Sequence, residues 1–432
     1  MTSLHGVAAD VEGGPARSAA PRILLFTPVA PVPSGVGGIF LHDLCSVYPA
    51  SSLAVCVVTD TPERVRVPFL PPTRTLALAR PPEYGFNRFG RRVTRATRAI
   101  AESYARRRYT SRLVDEAARF GRAHGVDLLW VPLSTPTALN AAAPLALSLG
   151  VPLVTTVWDP PEYWLPHYWG MEGRALRGYL GAFEEAMRLA VRCGAMSEAM
   201  AAEYESRFGT TGIVMRHGLE EHRWHPVASR AHDGDTLTIG FAGSLYTRDE
   251  WTALLRTLDS TDWRVAGRSV RIRVCGPGWD LPLEGRSHIE LLGWRTVDET
   301  VALMSECDLC YLPYWLDPQF AIATRLAFPT KLSTYLASGR PVLFHGPARS
   351  SPAQFFARYP AAVSCHSNAP ADLVAAIAEL IGDPDAYARA AMEGRRALSS
   401  ELTVDLFRRR FADLVGVDVG VLATRAEQGS PD

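Results

Sequence analysis

The residues best suited to bind an anion lie in FPTKLSTYLASGRPVLF, which runs from Phe328 to Phe344. Lys331 is the only lysine of the 432 residues, whereas arginine occurs 44 times. Pro329 and Thr330 precede it and predict the start of a helix. The N–H groups of a helix start and a flexible ammonium both stabilise phosphate. The pattern therefore predicts a phosphate-binding residue, with a surface lysine retained by chance as the alternative.

A second turn of small residues is predicted in GFAGSLYTRDEW, residues 240–251. A buried strand would end at Gly243 and Ser244, whose small side chains let backbone N–H groups approach an anion. Arg248 follows within one turn and could hold a diphosphate through two hydrogen bonds. The segment predicts another part of a diphosphate site, although strand–Gly–Ser loops are common in proteins of other kinds.

A glycine-rich turn between a strand and a helix is predicted in PVPSGVGGIFLHDL, residues 31–44. A nicotinamide-binding fingerprint requires Gly-x-Gly-x-x-Gly, but Gly35 and Gly37 are followed by Phe40 at the third position. Asp60 alone matches the acidic position of that motif. The turn therefore disfavours an oxidoreductase.

The run VWDPPEYWLPHYWG, residues 157–170, is unusually aromatic. Trp158, Tyr163 and Trp164 could offer flat apolar faces to a sugar ring or a hydrophobic acceptor, or they could pack a long loop against its domain. Asp159 lies at the carboxyl end of a predicted buried strand, which makes it better placed for chemistry than most acids of the chain.

Two other patterns are open to more than one interpretation. Cys307 and Cys310 form a lone C-x-x-C, and three histidines cluster in 217–225; core thiols and solvated loop histidines are favoured over metal ligands. Residues 88–112 contain nine arginines and one acid, which fits either a solvated helical face or a helix lying on an anionic membrane surface.

Composition places the chain among globular cytoplasmic enzymes. Its net charge is zero, which disfavours nucleic acid as a partner, and its seven cysteines do not suggest a disulfide framework. We expect neither a signal peptide in the first twenty residues nor a membrane-spanning segment.

Short apolar runs that alternate with helical patterns predict an α/β fold with two parallel sheets, each covered on both faces. The predicted strands are 22–29, 52–60, 128–133 and 152–159, then 236–243, 270–276, 288–293, 308–314, 341–346 and 361–365. The predicted helices are 88–124, 174–190, 249–258, 297–306, 331–338, 370–381 and 402–415.

These elements predict two doubly wound, Rossmann-like domains that face a cleft. The expected division is a loose tail at 1–20, an amino-terminal domain at 21–220, a carboxyl-terminal domain at 221–398, a helix at 399–417 that packs back across both domains, and a tail at 418–432. The polar segment 216–235 is predicted to link the domains. Ligands of such sheets bind at the carboxyl ends of the strands, so the cleft is the expected site.

With these segments in place, most of residues 22–415 resembles a GT-B glycosyltransferase, most closely the family-four group of nucleotide-sugar enzymes. The resemblance is carried by IGFAGSLY, RIRVCGPG, HIELLGW, DLCYLPY and FPTKLSTYLASGRPVL, together with VWDPPEYW and AMSEAMAAEYESRFG in the first half. It implies that the second domain holds the nucleotide and that the first binds the acceptor.

The resemblance also implies roles for individual residues. Lys331 and Arg248 would grip the donor diphosphate. Further donor contacts are implied at Gly37, Gly38, Gly243, Ser244, Gly276, Trp294, Arg295, Arg325, Thr330, Leu332, Ser333 and Thr334. This sequence departs from the family pattern at three positions. Leu326 and Thr334 stand where two glutamates are usual, and Trp158 stands where a histidine is common.

The resulting hypothesis is transfer of a sugar from a nucleotide-diphosphate donor, with retention of configuration and with no metal or other cofactor. The leaving phosphate can then take the acceptor proton; if the reaction inverts, Asp159 or His42 is the expected base. The acceptor would be a carbohydrate, a lipid-linked compound or a small molecule of glycan or metabolite biosynthesis. The alternatives are a catalytically degraded partner of another glycosyltransferase and a sugar-nucleotide epimerase.

Overall fold

The structure is a computed structural model of the chain. It describes residues 20–80, 95–232, 234–276 and 287–422, without the side chains of 95–107. The tail predicted at 1–20 lies outside these residues except for Ala20, as do residues 88–94 of the arginine-rich stretch 88–112. Of the tail predicted at 418–432, residues 418–422 are described: Val419–Val421 forms a short 3-10 helix, and the Leu422 side chain is buried.

The amino-terminal half forms a seven-stranded parallel sheet in the order β3-β2-β1-β4-β5-β6-β7. Its strands are β1 (Ile23–Thr27), β2 (Leu53–Thr59), β3 (Thr75–Ala79), β4 (Leu128–Pro132), β5 (Leu153–Val157), β6 (Ala190–Ala195) and β7 (Thr211–Val214). Its helices are α1 (Val36–Cys45), α2 (Arg95–Ala123), α3 (Pro136–Leu149), α4 (Pro161–Trp169), α5 (Gly173–Leu189) and α6 (Glu198–Phe208). The central strands are buried along their whole length because helices cover both faces.

The second half repeats this arrangement in a sheet of order β11-β10-β8-β12-β13-β14, with a short β9 antiparallel to β10. Its strands are β8 (Thr236–Ala242), β9 (Arg264–Val265), β10 (Arg268–Cys275), β11 (Ile289–Gly293), β12 (Leu309–Pro313), β13 (Val342–His345) and β14 (Ala362–Cys365). Its helices are α7 (Arg248–Ser260), α8 (Val297–Ser305), α9 (Ala321–Leu326), α10 (Lys331–Ala337), α11 (Ser351–Arg358), α12 (Pro370–Gly382), α13 (Pro384–Glu401) and α14 (Val404–Val415).

The last helix returns to the first domain. α13 packs on α10 of the second domain, whereas α14 contacts β6 and β7 of the first. Phe407 lies with its ring centre 4.8 Å from that of Phe40, and Phe411 lies 5.0 Å from Trp130. The helix predicted at 402–415 therefore packs against the amino-terminal domain, where the aromatic face of the helix is buried.

The two-sheet α/β prediction is confirmed, and each strand and helix that the sequence predicts has a counterpart. The strands missed are β3, β6 and β7 in the first sheet, and β9 in the second. Edge strands β3 and β7 are only partly buried, so they lack the continuous apolar run that marks a central strand. No helix among the described residues is long and apolar enough to cross a membrane.

All seven cysteines are buried free thiols, including Cys307 and Cys310. Over the part of the chain that the structure describes, no three His, Cys, Asp or Glu residues are grouped as metal ligands would be. The need for a metal or cofactor is not tested by this, and its absence remains a prediction.

We expect Phe407→Ala to lower the free energy of unfolding by about 3–5 kcal/mol, because the change leaves a cavity between α14 and α1. Urea unfolding followed by circular dichroism measures the loss. The control is Arg410→Ala on the same helix, whose exposed side chain makes only a 3.9 Å pair with Asp413, so a change within about 0.5 kcal/mol is expected. A loss below about 1 kcal/mol for Phe407→Ala would contradict the packing role.

Candidate active site

A cavity of about 290 Å³ lies where the carboxyl edges of the two sheets face each other. The first domain contributes Val36, Gly37, Phe40, Trp158, Asp159, Tyr163, Tyr168 and Met196. The second contributes Tyr246, Tyr314, Trp315, Ala327, Phe328, Pro329, Thr330 and Lys331. Six predicted site residues therefore share one cavity: Gly37, Trp158, Asp159, Tyr163, Thr330 and Lys331.

Lys331 is the first residue of α10, as the sequence predicts. Its Nζ donates to the backbone oxygen of Ser244 at 3.2 Å and lies 4.3 Å from the ring centre of Phe241 and 4.9 Å from that of Tyr246. No carboxylate of the described residues lies within ion-pair distance of it. Burial against these rings lowers the pKa of Lys331 to about 7. The cavity thus holds a cationic group with no anionic partner, which is a suitable environment for a phosphate.

Glycines at the carboxyl edge of the second sheet form the turn that Lys331 contacts. Gly243 and Gly276 have φ of 87° and 145°, and a Cβ on Gly276 would lie 2.7 Å from the backbone oxygen of Gly243. The Gly243 N–H donates to Cys275 and the Gly276 N–H donates to Gly293. The side chain of Tyr335 on α10 accepts from the N–H of Ala242 at 2.9 Å. The glycine bonds hold the strand ends together, and the Tyr335 bond attaches α10 to the end of β8. Lys331, the first residue of α10, therefore lies beside the turn.

Gly37 supports the opposite wall. An ideal Cβ at this position would lie 2.8 Å from the Trp158 ring, so the indole fits only because residue 37 is glycine. Trp158 also packs edge-on against Phe40 at 5.7 Å. Its Nε1 is buried with no hydrogen-bond partner in the structure. The structure thus places against Gly37 the Trp158 ring, which stands where a histidine is common, and the donor contact at Gly37 stays a prediction.

Asp159 lines the cavity directly after β5. Its side chain is exposed on the cavity side, and partial desolvation by the protein atoms around it raises the pKa of Asp159 to about 6. Within the described parts of the chain, no side chain forms an ion pair or hydrogen bond with this carboxylate. Asp159 is therefore a candidate for contact with a substrate group.

Sequence reasoning missed the aromatic residues from the second domain, Tyr246, Tyr314 and Trp315. Tyr314 and Trp315 follow directly after β12, so their position after a buried strand was the available signal. The Trp315 Nε1 donates to the backbone oxygen of Tyr246 at 2.9 Å. The buried carboxylate of Glu250 on α7 accepts from the N–H of Leu316 at 2.7 Å, which holds this loop against the cavity.

Several predicted residues lie outside the cavity lining. Trp164 is buried and donates to the backbone oxygen of Asp159 at 3.2 Å, so it supports the loop and offers no face to a ligand. Arg325 pairs with Glu203 of the first domain at 2.9 Å. Arg248 begins α7 and is exposed. The exposed Trp294 and Arg295 lie in the loop after β11.

The remaining predicted donor contacts also lie off the lining. They are Gly38, Gly243, Ser244, Gly276, Leu332, Ser333 and Thr334. Of these, Gly243 and Ser244 contact Lys331, whereas Leu332 and Ser333 are buried and Thr334 is half-buried. The site assignments therefore stay predictions, with the cavity residues the best supported by geometry.

His42, the other proposed base, lies in a second cavity. That space is lined by Asp43, His217, Arg223 and Asp298 among others, and it does not include Lys331 or Asp159. Asp43 contacts both His217, at 2.8 Å, and His42, at 3.2 Å. Burial would raise the pKa of Asp43, but these two hydrogen bonds outweigh it and hold the pKa well below its ordinary value.

Known proteins resemble this chain in fold, and a family model matches part of its sequence. Residues 39–223 match the family model described as Glycosyltransferase Family 4. Among solved structures, Anabaena HepE in complex with UDP and glucose aligns with a TM-score of 0.61, 16% identity and coverage of 92% of this chain and 99% of that chain. No curated protein sequence matches the chain.

Two further solved structures have the same fold. Sucrose-phosphate synthase of Thermosynechococcus elongatus aligns with a TM-score of 0.64 and 12% identity, covering 91% of this chain and 98% of that one. An α,α-trehalose-phosphate synthase (UDP-forming) of Burkholderia xenovorans, in complex with glucose-6-phosphate, aligns with a TM-score of 0.61, 12% identity and coverage of 91% and 100%. The chain therefore has the two-domain GT-B fold of these structures, and residues 39–223, most of its amino-terminal domain, match the family 4 glycosyltransferase model.

We expect Gly37→Ala to destabilise the protein by about 1–3 kcal/mol, because the new methyl group would overlap the Trp158 ring. Combining it with Trp158→Phe removes the obstruction, and urea unfolding should then show a smaller combined loss than the sum of the two single changes. The control is Gly181→Ala in α5, where an added Cβ meets no atom within 4 Å. Strict additivity of the two changes would contradict the contact.

Proposed function

We propose that the protein transfers a sugar from a nucleoside-diphosphate donor to an acceptor bound in the cavity between its domains. The observation that carries this proposal is Lys331, whose ammonium faces the cavity beside the Gly243–Ser244 turn with no carboxylate partner in the described structure. A diphosphate would supply the missing negative charge. Structures of HepE with UDP-glucose and of trehalose-6-phosphate synthase with a UDP sugar support a donor of this kind.

The residues of the cavity suggest how transfer would be promoted. As the bond between sugar and phosphate breaks, negative charge grows on the diphosphate, and a fixed cation nearby stabilises that charge more than the ground state. Lys331 is suited to this role because its side chain can follow the moving charge. Arg248, at the start of α7 after the same turn, would add a second cation on the exposed side.

Recognition of the donor must differ from the usual family pattern. Leu326 is fully buried, and its backbone oxygen accepts a hydrogen bond from Ser197 at 2.6 Å. Thr334 can offer only a hydroxyl where a glutamate is usual. We propose that backbone groups near Gly276 and the exposed side chains Trp294 and Arg295 take a larger share in holding the nucleoside.

Retention of configuration is the proposed stereochemical outcome. The leaving phosphate would take the acceptor proton, so no protein base is required. Should the reaction invert, Asp159 is favoured over His42 as the base, because Asp159 shares the cavity with Lys331 and His42 does not. No metal or other cofactor is part of the proposal.

The other functions considered are less well supported. An epimerase would need paired acids for proton abstraction, whereas Asp159 is the one carboxylate among the residues that line the described cavity. A degraded, non-catalytic partner would not need a cation and a carboxylate kept unpaired in the same space. Peripheral membrane contact through 88–112 stays a separate proposal, because most of that stretch lies outside the side chains described.

Lys331→Ala should weaken binding of UDP by about 10–100-fold, the loss expected from one charge-assisted contact. Isothermal titration calorimetry measures the dissociation constant. The matched control is Arg64→Ala, which removes an exposed cation of the first domain beside Glu63 and should leave binding unchanged. Equal affinity of wild type and Lys331→Ala would exclude Lys331 from the donor site, and absence of UDP binding to wild type would remove the main support for a UDP-sugar donor.

Binding of UDP near pH 8 should be accompanied by proton uptake. With a pKa of about 7, Lys331 is mostly neutral at this pH, and a bound diphosphate favours the charged form. We expect uptake of nearly one proton, about 0.9, per UDP if the bound pKa rises well above 8. Calorimetry in Tris and in HEPES, which differ in ionisation enthalpy, measures the uptake; the same heat in both buffers would contradict it, and Lys331→Ala should abolish it.

A further inference from the structure

The cavity contains two opposite charges that do not pair with each other. Lys331 is held against Phe241, Tyr246 and the Ser244 backbone oxygen, and Asp159 lies on the other domain. No ion pair forms between Lys331 and Asp159 within the 4.0 Å limit of such contacts. A diphosphate accounts for the lysine but leaves the carboxylate without a partner.

Aromatic rings surround the Asp159 side of this cavity. The rings are those of Trp158, Tyr163, Tyr168, Tyr246, Tyr314 and Trp315. Burial raises the pKa of Tyr246 and of Tyr163. Asp159 is the next cause for Tyr246, and it follows Tyr168 among the causes for Tyr163, so both phenols lie within electrostatic reach of Asp159. Tyr163 and Tyr168 are joined through their hydroxyl groups at 2.8 Å, so they form one edge of the wall.

A carboxylate and several aromatic rings in one cavity are together suited to bind an ammonium group. The ring faces attract a cation through their quadrupoles, and the carboxylate provides the opposite charge. The same cavity already shows such a contact, because Lys331 Nζ lies 4.9 Å from the centre of the Tyr246 ring. Neutral sugars also stack on aromatic rings, and their hydroxyl groups can donate to a carboxylate, but they bring no opposite charge to pair with it.

We propose that the acceptor is a small ring compound bearing an ammonium group, which pairs with Asp159 and rests against the aromatic wall. This inference rests on the proposed function, since it assigns Lys331 to the donor and Asp159 to the acceptor. The cavity of about 290 Å³ is at the lower end for small-molecule sites and is lined by Lys331 as well, so the space beside the donor phosphates fits a single ring better than a chain of sugars. Asp159 is then the residue that determines acceptor specificity.

The lysine affects the order in which the two substrates bind. Below about pH 7, where Lys331 is charged in the empty cavity, an ammonium compound would meet this cation in the same space. A bound diphosphate balances that charge and removes the repulsion. In this pH range we therefore expect the ammonium acceptor to bind more tightly after the donor.

The test compares cyclohexylammonium with cyclohexanol, which differ in the charged group and share the ring. Ligand-observed NMR titration at pH 7.5 with saturating UDP gives both dissociation constants. Wild type should bind cyclohexylammonium about tenfold more tightly or better, the ratio expected from one charge-assisted contact. Asp159→Asn should abolish the preference, because asparagine keeps the shape and loses the charge.

The matched control is Asp262→Asn, which makes the same chemical change at an exposed position outside the cavity. Asp262 has φ of 48°, a conformation that asparagine adopts readily, so this variant should retain the preference. Equal affinity for the two probes in wild type, or a preference that survives Asp159→Asn, would overturn the inference. Because UDP binding is measured first, its failure would point to the donor assignment, whereas UDP binding with no amine preference would refute the acceptor proposal alone.

Discussion

The buried guanidinium of Arg216 holds the two domains and the last helices in one arrangement. Only 2% of its side chain is exposed. Its nitrogens contact Glu198 of α6 in the first domain, Glu401 at the end of α13 and the backbone oxygen of Met196. Its carbon lies 4.2 Å from the ring centre of Phe328 in the second domain. Burial lowers the pKa of Arg216, and the two carboxylates offset that cost by pairing with the charge.

This contact also forms the back of the candidate site. Phe328 and Met196 touch Arg216 on one side and line the cavity on the other. Phe328 is followed by Pro329, Thr330 and Lys331, so the cation between the domains fixes the chain just before the lysine. The residue that sets the approach of the two sheets therefore sets the width of the space between Lys331 and Asp159 as well.

The sequence contained most of the information about the central layers and little about the edges. Continuous apolar runs predicted β1, β2, β4 and β5 because a strand covered on both faces needs no polar residues. The edge strand β3 and the β6 strand, which includes Arg192, break that pattern and were not predicted. Arg216 belongs to the segment that the sequence predicts as a polar linker. The residues beside it in sequence do not indicate that two glutamates and a phenylalanine from elsewhere in the chain enclose it.

Site residues could be predicted where a short segment determines their position. They could not be predicted where contact between the two domains brings them together. The helix start at Lys331 and the strand end before Asp159 follow from short segments. The aromatic wall combines residues from around positions 160, 246 and 315, and only the packing of one sheet against the other brings these together. Leu326 and Thr334 differ from the family pattern in sequence, and the structure adds that Leu326 belongs to the core and could not present a carboxylate to the cavity in this arrangement.

Under the proposed function, the environment of Lys331 accounts for a lysine at this position in a chain with 44 arginines. A guanidinium remains charged at any physiological pH, so in the empty cavity it would be a cation held against Phe241 and Tyr246 without an anion. The pKa of the Lys331 ammonium, lowered to about 7, lets it release its proton when no ligand is present. Because the folded pKa is below the unfolded one, the unfolded chain binds more protons between about pH 7 and 10.5, and stability contributed by this group rises with pH across that window. A lysine can thus be neutral while the site is empty and charged when a diphosphate enters, and arginine cannot make that exchange.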